Sequence, residues 1–397
     1  MSKRYEGASV RPQALVLSPE AAYPAIGGGA LRTSSLIDYL ARRYNIDVIT
    51  FREDPADQRT FPADRVRDVL NLHLPHHSKS TMARAARNFR RFLEGKPPLV
   101  DRYSGFETQV KQWLDERVYS IVLVEHFWAA RYAKLLRDHA ERLVLDLHNI
   151  ESVLQATTAA TENWPLSMMF SRFAAAYENM EREWIPQFDD VLVPSADDSA
   201  KIVTIAPTAR VIVYPNTIAR HEQPLVPEEP AIVFSGNLEY HANVSAVQWF
   251  GSEIWPHIRQ SHPEIEWRLI GKNSEAIHLR VPGMRIIGAV DDAIRAIAAT
   301  QVAVVPLRSG SGTRFKILEA WAAGRPVVST TLGAEGLGAR GGDHLLIADD
   351  PVAFAAAVNL LLADDGMRRR LGANGRKLYL ERFTTEAGWR VLDSELF

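Results

Sequence analysis

The stretch "RSGSGTRFKILEAWAAGRPVVST", residues 308–330, assembles the parts of an anion-binding site. Gly310 and Gly312 permit backbone conformations closed to other residues and let a ligand approach the main chain. Gly312 or Thr313 can cap a helix whose apolar spacing runs to about Ala323, where Gly324 and Pro326 stop it. Free amides at such a helix start bind anions, and Arg314 and Lys316 add charge beside Ser311 at the same end. Lys316 and Glu319 are three residues apart and share one helix face, while Phe315, Leu318 and Ala322 form an inward face. A pyrophosphate at the loop, with Glu319 on the ribose hydroxyls one turn further on, points to a nucleotide. Walker A is excluded because no Gly-Lys-Ser/Thr closes the run, and Phe315 stands where the dinucleotide fingerprint has its third glycine. The plainer reading is an ordinary strand-to-helix loop with solvated cations.

Further polar residues follow apolar runs. Gly27, Gly28 and Gly29 come after "ALVLS" and read either as a flexible loop or as backbone that approaches a sugar or phosphate. His126 ends "IVLVEH", a position open to a packed, solvated or catalytic histidine. His148, Asn149 and Glu151 follow "LVLDLH" and suit either site architecture or acceptor contact. The segment 81–96, "TMARAARNFRRFLEGK", sets Met82, Ala85, Ala86, Phe89 and Leu93 on one helical face with four arginines around the rest. It reads equally as a solvated surface helix or as a basic amphipathic helix resting on an anionic membrane. No Asp-x-Asp triple occurs, and His73, His76 and His77 lack ligand spacing, so no metal or other cofactor is expected.

These residues need elements to hold them, and the chain is long enough, at 397 residues, for two domains with cores of their own. Runs such as 14–18, 47–51, 121–126, 143–148, 191–195 and 211–216 alternate with helix-period segments, the pattern of βαβ units on a parallel sheet. The proline-rich "TIARHEQPLVPEEP" reads as a linker, after which the alternation restarts at "AIVFSG". The predicted domains are 1–216, 217–380, and a C-terminal helix, 381–397, that packs back on the first domain. Ligands of such folds bind at the carboxyl ends of the strands, here in a cleft between two facing domains. Lys+Arg 46 against Asp+Glu 48 leaves a net charge of −2, so no basic field argues for nucleic acid. Cysteine is absent, which excludes disulfides and thiolate chemistry and fits a reducing, cytoplasmic setting. The only N-terminal apolar run is shorter than a signal-peptide core and far shorter than a membrane span.

Taken together, "VFSGNLEYHANVSAVQWFGSEIWPHIR", "WRLIGKN", "GAVDD" and the opening stretch resemble the donor-binding half of a GT-B glycosyltransferase of family 4, a retaining group. The likeness extends to the amino half through "GGGALRTSSLIDYLARRYNIDVIT", "VEHFWAARYA", "LDLHNIES", "VLVPSADDS" and "VYPNTI", whereas about 55–110 match nothing. The resemblance implies an α/β GT-B architecture of two Rossmann-like doubly wound domains, and transfer from a nucleoside-diphosphate sugar to a sugar, lipid or small-molecule hydroxyl with retention. It places the donor diphosphate on residues 310–314 with Lys316, and on Gly28 and Gly29, with Arg314, Lys316 and His126 closest to the chemistry. Glu319 matches the second of two glutamates spaced eight apart; the first falls on Ser311. Gly271, Lys272 and Val290 are the expected base contacts. Gly27, His148, Asn149, Glu151, Asn237 and Asn243 are assigned to the acceptor side or the cleft, the two asparagines standing where many relatives carry Arg and Lys. A nucleotide-sugar epimerase or synthase, or a non-catalytic nucleotide-sugar binder, is the alternative, and the enzyme is expected in the cytoplasm, with peripheral membrane contact through 81–96.

Overall fold

The computed structural model describes residues 11–25, 27–53, 60–75, 80–309 and 315–397. Two compact units emerge. The first takes in the chain up to Ala159 with Trp164–Val193 and Ala200–Ile212; the second takes in Ala160–Asn163, Pro194–Ser199 and Val213–Phe397.

The first unit is built on β1 (Gln13–Ser18), β2 (Asn45–Arg52), β3 (Val66–His73), β4 (Ile121–Glu125), β5 (Leu143–Asp146), β6 (Asp190–Val193) and β7 (Val211–Val213). Their order is β3-β2-β1-β4-β5-β6-β7, with parallel pairing from β3 through β6. Residues such as Leu15, Val16, Val122 and Val144 are fully buried because helices cover both sheet faces, as parallel strands require. β1 lies between β2 and β4, so the strand order reverses there and a crevice opens at the carboxyl ends of β1 and β4.

The second unit repeats the plan with β8 (Ala231–Ser235), β9 (Glu266–Ile270), β10 (Met284–Gly288), β11 (Val302–Val305), β12 (Val327–Ser329) and β13 (Leu346–Ile347). The order β10-β9-β8-β11-β12-β13 is parallel throughout, and the reversal falls between β8 and β11. Trp255, Trp267 and Phe250 fill its core beside β9. Helices Pro351–Ala363, Asp365–Arg382 and Thr385–Glu395 close the chain, each capped by a side-chain oxygen, from Asp350, Asp364 and Thr384. In this unit Ile218 bridges to Thr384, and Gly388 lies against Tyr214 and Thr217.

Three local readings change. The glycines read as a loop are in part helical: the first long helix starts at Gly28, so Gly28 and Gly29 form its first turn and Gly27, with φ 95°, is the residue before it. The unmatched stretch supplies the edge strand β3, whose mixed polar and apolar run "VRDVLNLH" suits a strand covered less than its neighbours. Helix Thr81–Glu94 forms, yet its apolar side does not pack inward: Met82, Phe89 and Leu93 are 85, 63 and 60 % exposed. Arg91 is the buried member, held on Asp101 at 2.9 Å.

Candidate active site

Each unit carries a polar cluster at its own strand-order reversal. In the second unit the cluster is set by β8 and by helix Phe315–Ala322, whose residues Ile317, Leu318, Trp321 and Ala322 are buried and fix its rotation. Lys316 and Glu319 are thereby turned toward the carboxyl end of β8. Lys316 Nζ donates to Asn243 Oδ1 at 2.6 Å, and Asn243 Nδ2 donates to the Asn237 carbonyl at 2.7 Å. The ammonium also lies 4.9 Å from the centroid of the Phe234 ring, a cation–π contact. Gly236 is needed where it stands: a Cβ there would lie 3.0 Å from Asn243 Nδ2 and 3.2 Å from Lys316 Nζ. Ser235 Oγ donates to Glu319 Oε2 at 3.2 Å. Burial raises the Glu319 pKa against the opposing pull of Ser235 and Lys316.

Gly271, at the end of β9, has φ 135°, and a side chain there would overlap the Gly236 carbonyl at 2.1 Å. Two strand ends therefore meet backbone to backbone and leave a floor with amide and carbonyl edges. Lys272 is exposed beside it, its carbonyl accepting from Leu238 N at 2.9 Å, and Val290 follows β10 half-buried. Asn237 Nδ2 donates to Glu239 Oε2 at 3.1 Å. Asn237 and Asn243 thus belong with Lys316 in the second unit. Gly310, Ser311, Gly312, Thr313 and Arg314 lie outside the described residues, as do His76 and His77.

In the first unit β4 and β5 end on buried acids, Glu125 and Asp146. A charge inside a sheet must be paired, and the pairing here is dense. Arg32, on helix Gly28–Ala41, donates from Nε to both Asp146 oxygens at 2.8 and 3.0 Å, Thr33 Oγ1 donates to Glu125 Oε2 at 2.9 Å, and His148 Nε2 lies 2.8 Å from the same Glu125 oxygen. His148 Nε2 is also 3.2 Å from Asp146 Oδ2. Burial pulls the His148 pKa down, but its bonds to Asp146 and Glu125 outweigh that and lift it to about 9. Burial likewise opposes ionisation of Asp146, yet Arg32 and His148 hold it well below the usual carboxylate range, while burial beside Asp146 raises Glu125.

His126 follows β4 at φ 63°, a conformation that a non-glycine residue rarely adopts and that marks strained, functional positions. Its ring stacks on Trp128 at 4.4 Å and lies 3.7 Å from the His148 ring, centroid to centroid. Burial and the neighbouring His148 charge keep it neutral, well below the ordinary imidazole range. The arrangement therefore sets a neutral imidazole on a cationic one. Glu151 is buried rather than presented, pushed up to about 8 by burial and by Glu181, which itself sits at about 7 and accepts from Ser152 N and Oγ. Asn149 lies between His148 and this pair and is half-buried. Gly27, Gly28 and Gly29 adjoin the same network through Arg32 and His148. Sequence reasoning singled out neither Arg32, Thr33, Glu125 nor Asp146. A charged residue closing a fully apolar strand run was the available signal.

Two family models match the chain: a glycosyl transferase 4-like domain over residues 27–217 and glycosyl transferases group 1 over residues 229–364. An uncharacterized 44.6 kDa protein in the cps region of Klebsiella pneumoniae is 23 % identical over 358 residues, 86 % of this chain and 88 % of that one. A phosphatidyl-myo-inositol mannosyltransferase of Mycobacterium leprae is 31 % identical over 151 residues, 36 % of this chain and 39 % of that one. Among solved structures, HepE of Anabaena with UDP and glucose superposes with a TM-score of 0.66 at 15 % identity, covering 97 % of this chain and 99 % of that one. The chain belongs to the GT-B glycosyltransferases of the family 4-like type. It is accordingly a transferase that uses a nucleotide sugar.

Proposed function

We propose that the chain moves a glycosyl group from a nucleoside-diphosphate sugar to an acceptor hydroxyl with retention of anomeric configuration, in building a cell-envelope glycan. The observation that carries this reading is the pair Lys316 and Glu319 on one helix face, braced by Asn243 and Ser235 at the end of β8. Lys316 stabilises the negative charge that grows on the departing diphosphate as the glycosidic bond breaks, and Arg314 and the amides of residues 310–313 are assigned to the same task. Glu319 Oε2 accepts from Ser235, which leaves Oε1 to take a ribose hydroxyl. The acceptor oxygen attacks on the face the diphosphate leaves, a donor phosphate oxygen takes its proton, and neutral His126 hydrogen-bonds the transferred sugar.

No resident metal is proposed. Glu125, Asp146 and His148 lie close together, but Arg32 already occupies Asp146 and His148 Nε2 faces both carboxylates, so the charges are matched internally. Peripheral attachment to an anionic membrane on the cytoplasmic side is proposed through helix Thr81–Glu94, supported by its outward Met82, Phe89 and Leu93. Among the described residues no helix is long and apolar enough to cross a membrane.

The test is a panel of nucleotide sugars scored by thermal shift and then by product formation in the presence of a chelator. A ligand at one hundred times its dissociation constant adds about 2.7 kcal/mol of stability. One nucleoside diphosphate should stand out, the product should carry the donor's anomeric configuration by NMR, and the chelator should leave the rate unchanged. If no nucleotide at millimolar level moves the transition, the donor-site assignment is wrong. Donor turnover without an acceptor product would indicate an epimerase, and binding without turnover a non-catalytic protein.

A further inference from the structure

The second unit holds a cavity of about 150 Å3 on the side of its sheet where β8 and β12 begin, away from the strand ends that carry the donor residues. Its wall includes Glu228, just ahead of β8, then Gly324 and Arg325, between helix Phe315–Ala322 and β12, and Arg368, Arg369 and Ala373 on helix Asp365–Arg382. Lys316 stands at the start of helix Phe315–Ala322 and Gly324 follows its end, so about 12 Å of helix separates the cavity from the donor residues. The two helices meet backbone to backbone: a Cβ on Gly372 would lie 2.3 Å from the Gly324 carbonyl oxygen. That contact sets Arg325 and Arg368 relative to each other. Arg325 Nε donates to the Ala298 carbonyl at 2.9 Å, and its Nη1 pairs with Glu228 Oε2. Arg368 is 8 % exposed, with Nη1 donating to the Leu361 and Leu362 carbonyls at 2.8 and 3.0 Å and Nη2 lying 3.1 Å from Glu228 Oε1. Both Glu228 oxygens are therefore taken. Arg368 Nε is buried with no hydrogen-bond partner among the described residues.

We propose that this cavity is an oxyanion site, in which Arg368 Nε–H, with Arg325 and Arg369, takes a phosphoryl group other than the donor's. A guanidinium keeps its charge at any working pH, and leaving one of its buried N–H groups without an acceptor is costly. The missing acceptor must come from solution, because Glu228 is already spanned by two arginines. Charge selects what kind of guest it is. Three arginines line the cavity against one carboxylate, and Asp365, which pairs with Arg368 and Arg369 beside it, still leaves a surplus of one positive charge. Size agrees, since a water takes about 30 Å3 and the space admits a polyatomic group. The fork of donors on a guanidinium matches phosphate oxygens better than a lone water does.

The experiment compares Tm of the full chain in potassium phosphate and in potassium chloride of equal ionic strength. Phosphate should raise Tm saturably. Ala373→Glu is the test variant, because Ala373 is an exposed helical position on the cavity wall, where a carboxylate can take the guanidinium donors without opening the core. In chloride it should melt like the wild type, while its phosphate affinity should be weaker by at least about tenfold, the loss of one charged hydrogen bond. Arginine 1H–15N correlations give a second reading: the Nε–H signal absent from Arg368→Lys should move with phosphate in the wild type. If Arg368→Lys does not fold, the Ala373→Glu comparison decides. Equal phosphate stabilisation of the wild type and Ala373→Glu, or an Arg368 signal indifferent to phosphate, would overturn the proposal and leave water in the cavity. The part of the response that Ala373→Glu removes should persist in Lys316→Ala, and its disappearance there would assign the phosphate to the donor site instead. Glycerol 3-phosphate separates the sources: a tighter response than phosphate assigns a phosphomonoester, an equal or weaker one free phosphate.

Discussion

At the scale of single residues the proposed donor contacts turn on Lys316 and Glu319. Lys316 Nζ donates to the Asn243 amide and lies over the Phe234 ring, so both residues help to set its position. Lys316→Ala removes a charge-assisted bond worth about 1.5–3 kcal/mol, and donor affinity measured by calorimetry should fall about 10- to 150-fold. The fold should survive, because that side chain is only half-buried. Glu319 makes a sharper test. A donor lacking its ribose 2′- and 3′-hydroxyls should lose affinity with the wild type yet bind Glu319→Ala as well as the complete donor does. Such non-additivity in a double-mutant cycle assigns the carboxylate to the ribose, and two independent losses would refute the assignment. The residue pair Lys316 and Glu319 was legible in the sequence because helical spacing alone puts positions three apart on one face. Arg32 and Asp146 were not, since 114 positions separate them along the chain.

At the scale of elements, helix Thr81–Glu94 inverts the usual pattern. An amphipathic helix on a soluble unit turns its apolar stripe to the core, whereas here Phe89 and Leu93 face outward and Arg91 is drawn in by Asp101. Exposed substitutions away from caps and pairs change stability by no more than about 0.5 kcal/mol. Phe89→Asp should therefore leave Tm unchanged while reducing co-sedimentation with vesicles rich in anionic lipid. Equal binding by the variant and the wild type would dismiss the membrane role. Helix Gly28–Ala41 shows the opposite dependence, because it buries Arg32 and Thr33 against the charged strand ends Asp146 and Glu125, alongside the apolar Leu36, Ile37 and Leu40. Its first turn, Gly28–Leu31, holds glycines and no buried apolar residue, so hydrophobic period does not mark where the helix begins.

At the scale of the whole molecule, buried titratable groups in the first unit make stability depend on pH. Glu151 and Glu181 are raised by burial to about 8 and about 7, so the folded chain binds protons there that an unfolded chain releases at lower pH. His148, raised to about 9, is likewise favoured in its protonated form. For a raised group stability is present below the unfolded pKa and lost as the pH climbs through the folded one, and all three act in the same direction. The contribution of these three groups to stability should therefore decline from about pH 4.5 to about pH 9 in calorimetric scans. Glu151→Gln should flatten the decline between about 4.5 and about 8, and His148→Gln the decline between about 6.5 and about 9. A transition temperature constant over that window would contradict the assignment.

The sequence alone determined the α/β class, the repeated parallel-sheet pattern, and the placing of Lys316 and Glu319 on one helix face. Each of these follows from periodicity, composition or residues close in the chain, which local rules govern. The tertiary structure decided which strand ends come together. A charged residue at the end of an apolar run marks Glu125 and Asp146 locally, but their pairing with Arg32 and His148 and the strained backbone of His126 have no local signature, because a buried charge is tolerated only once distant partners surround it.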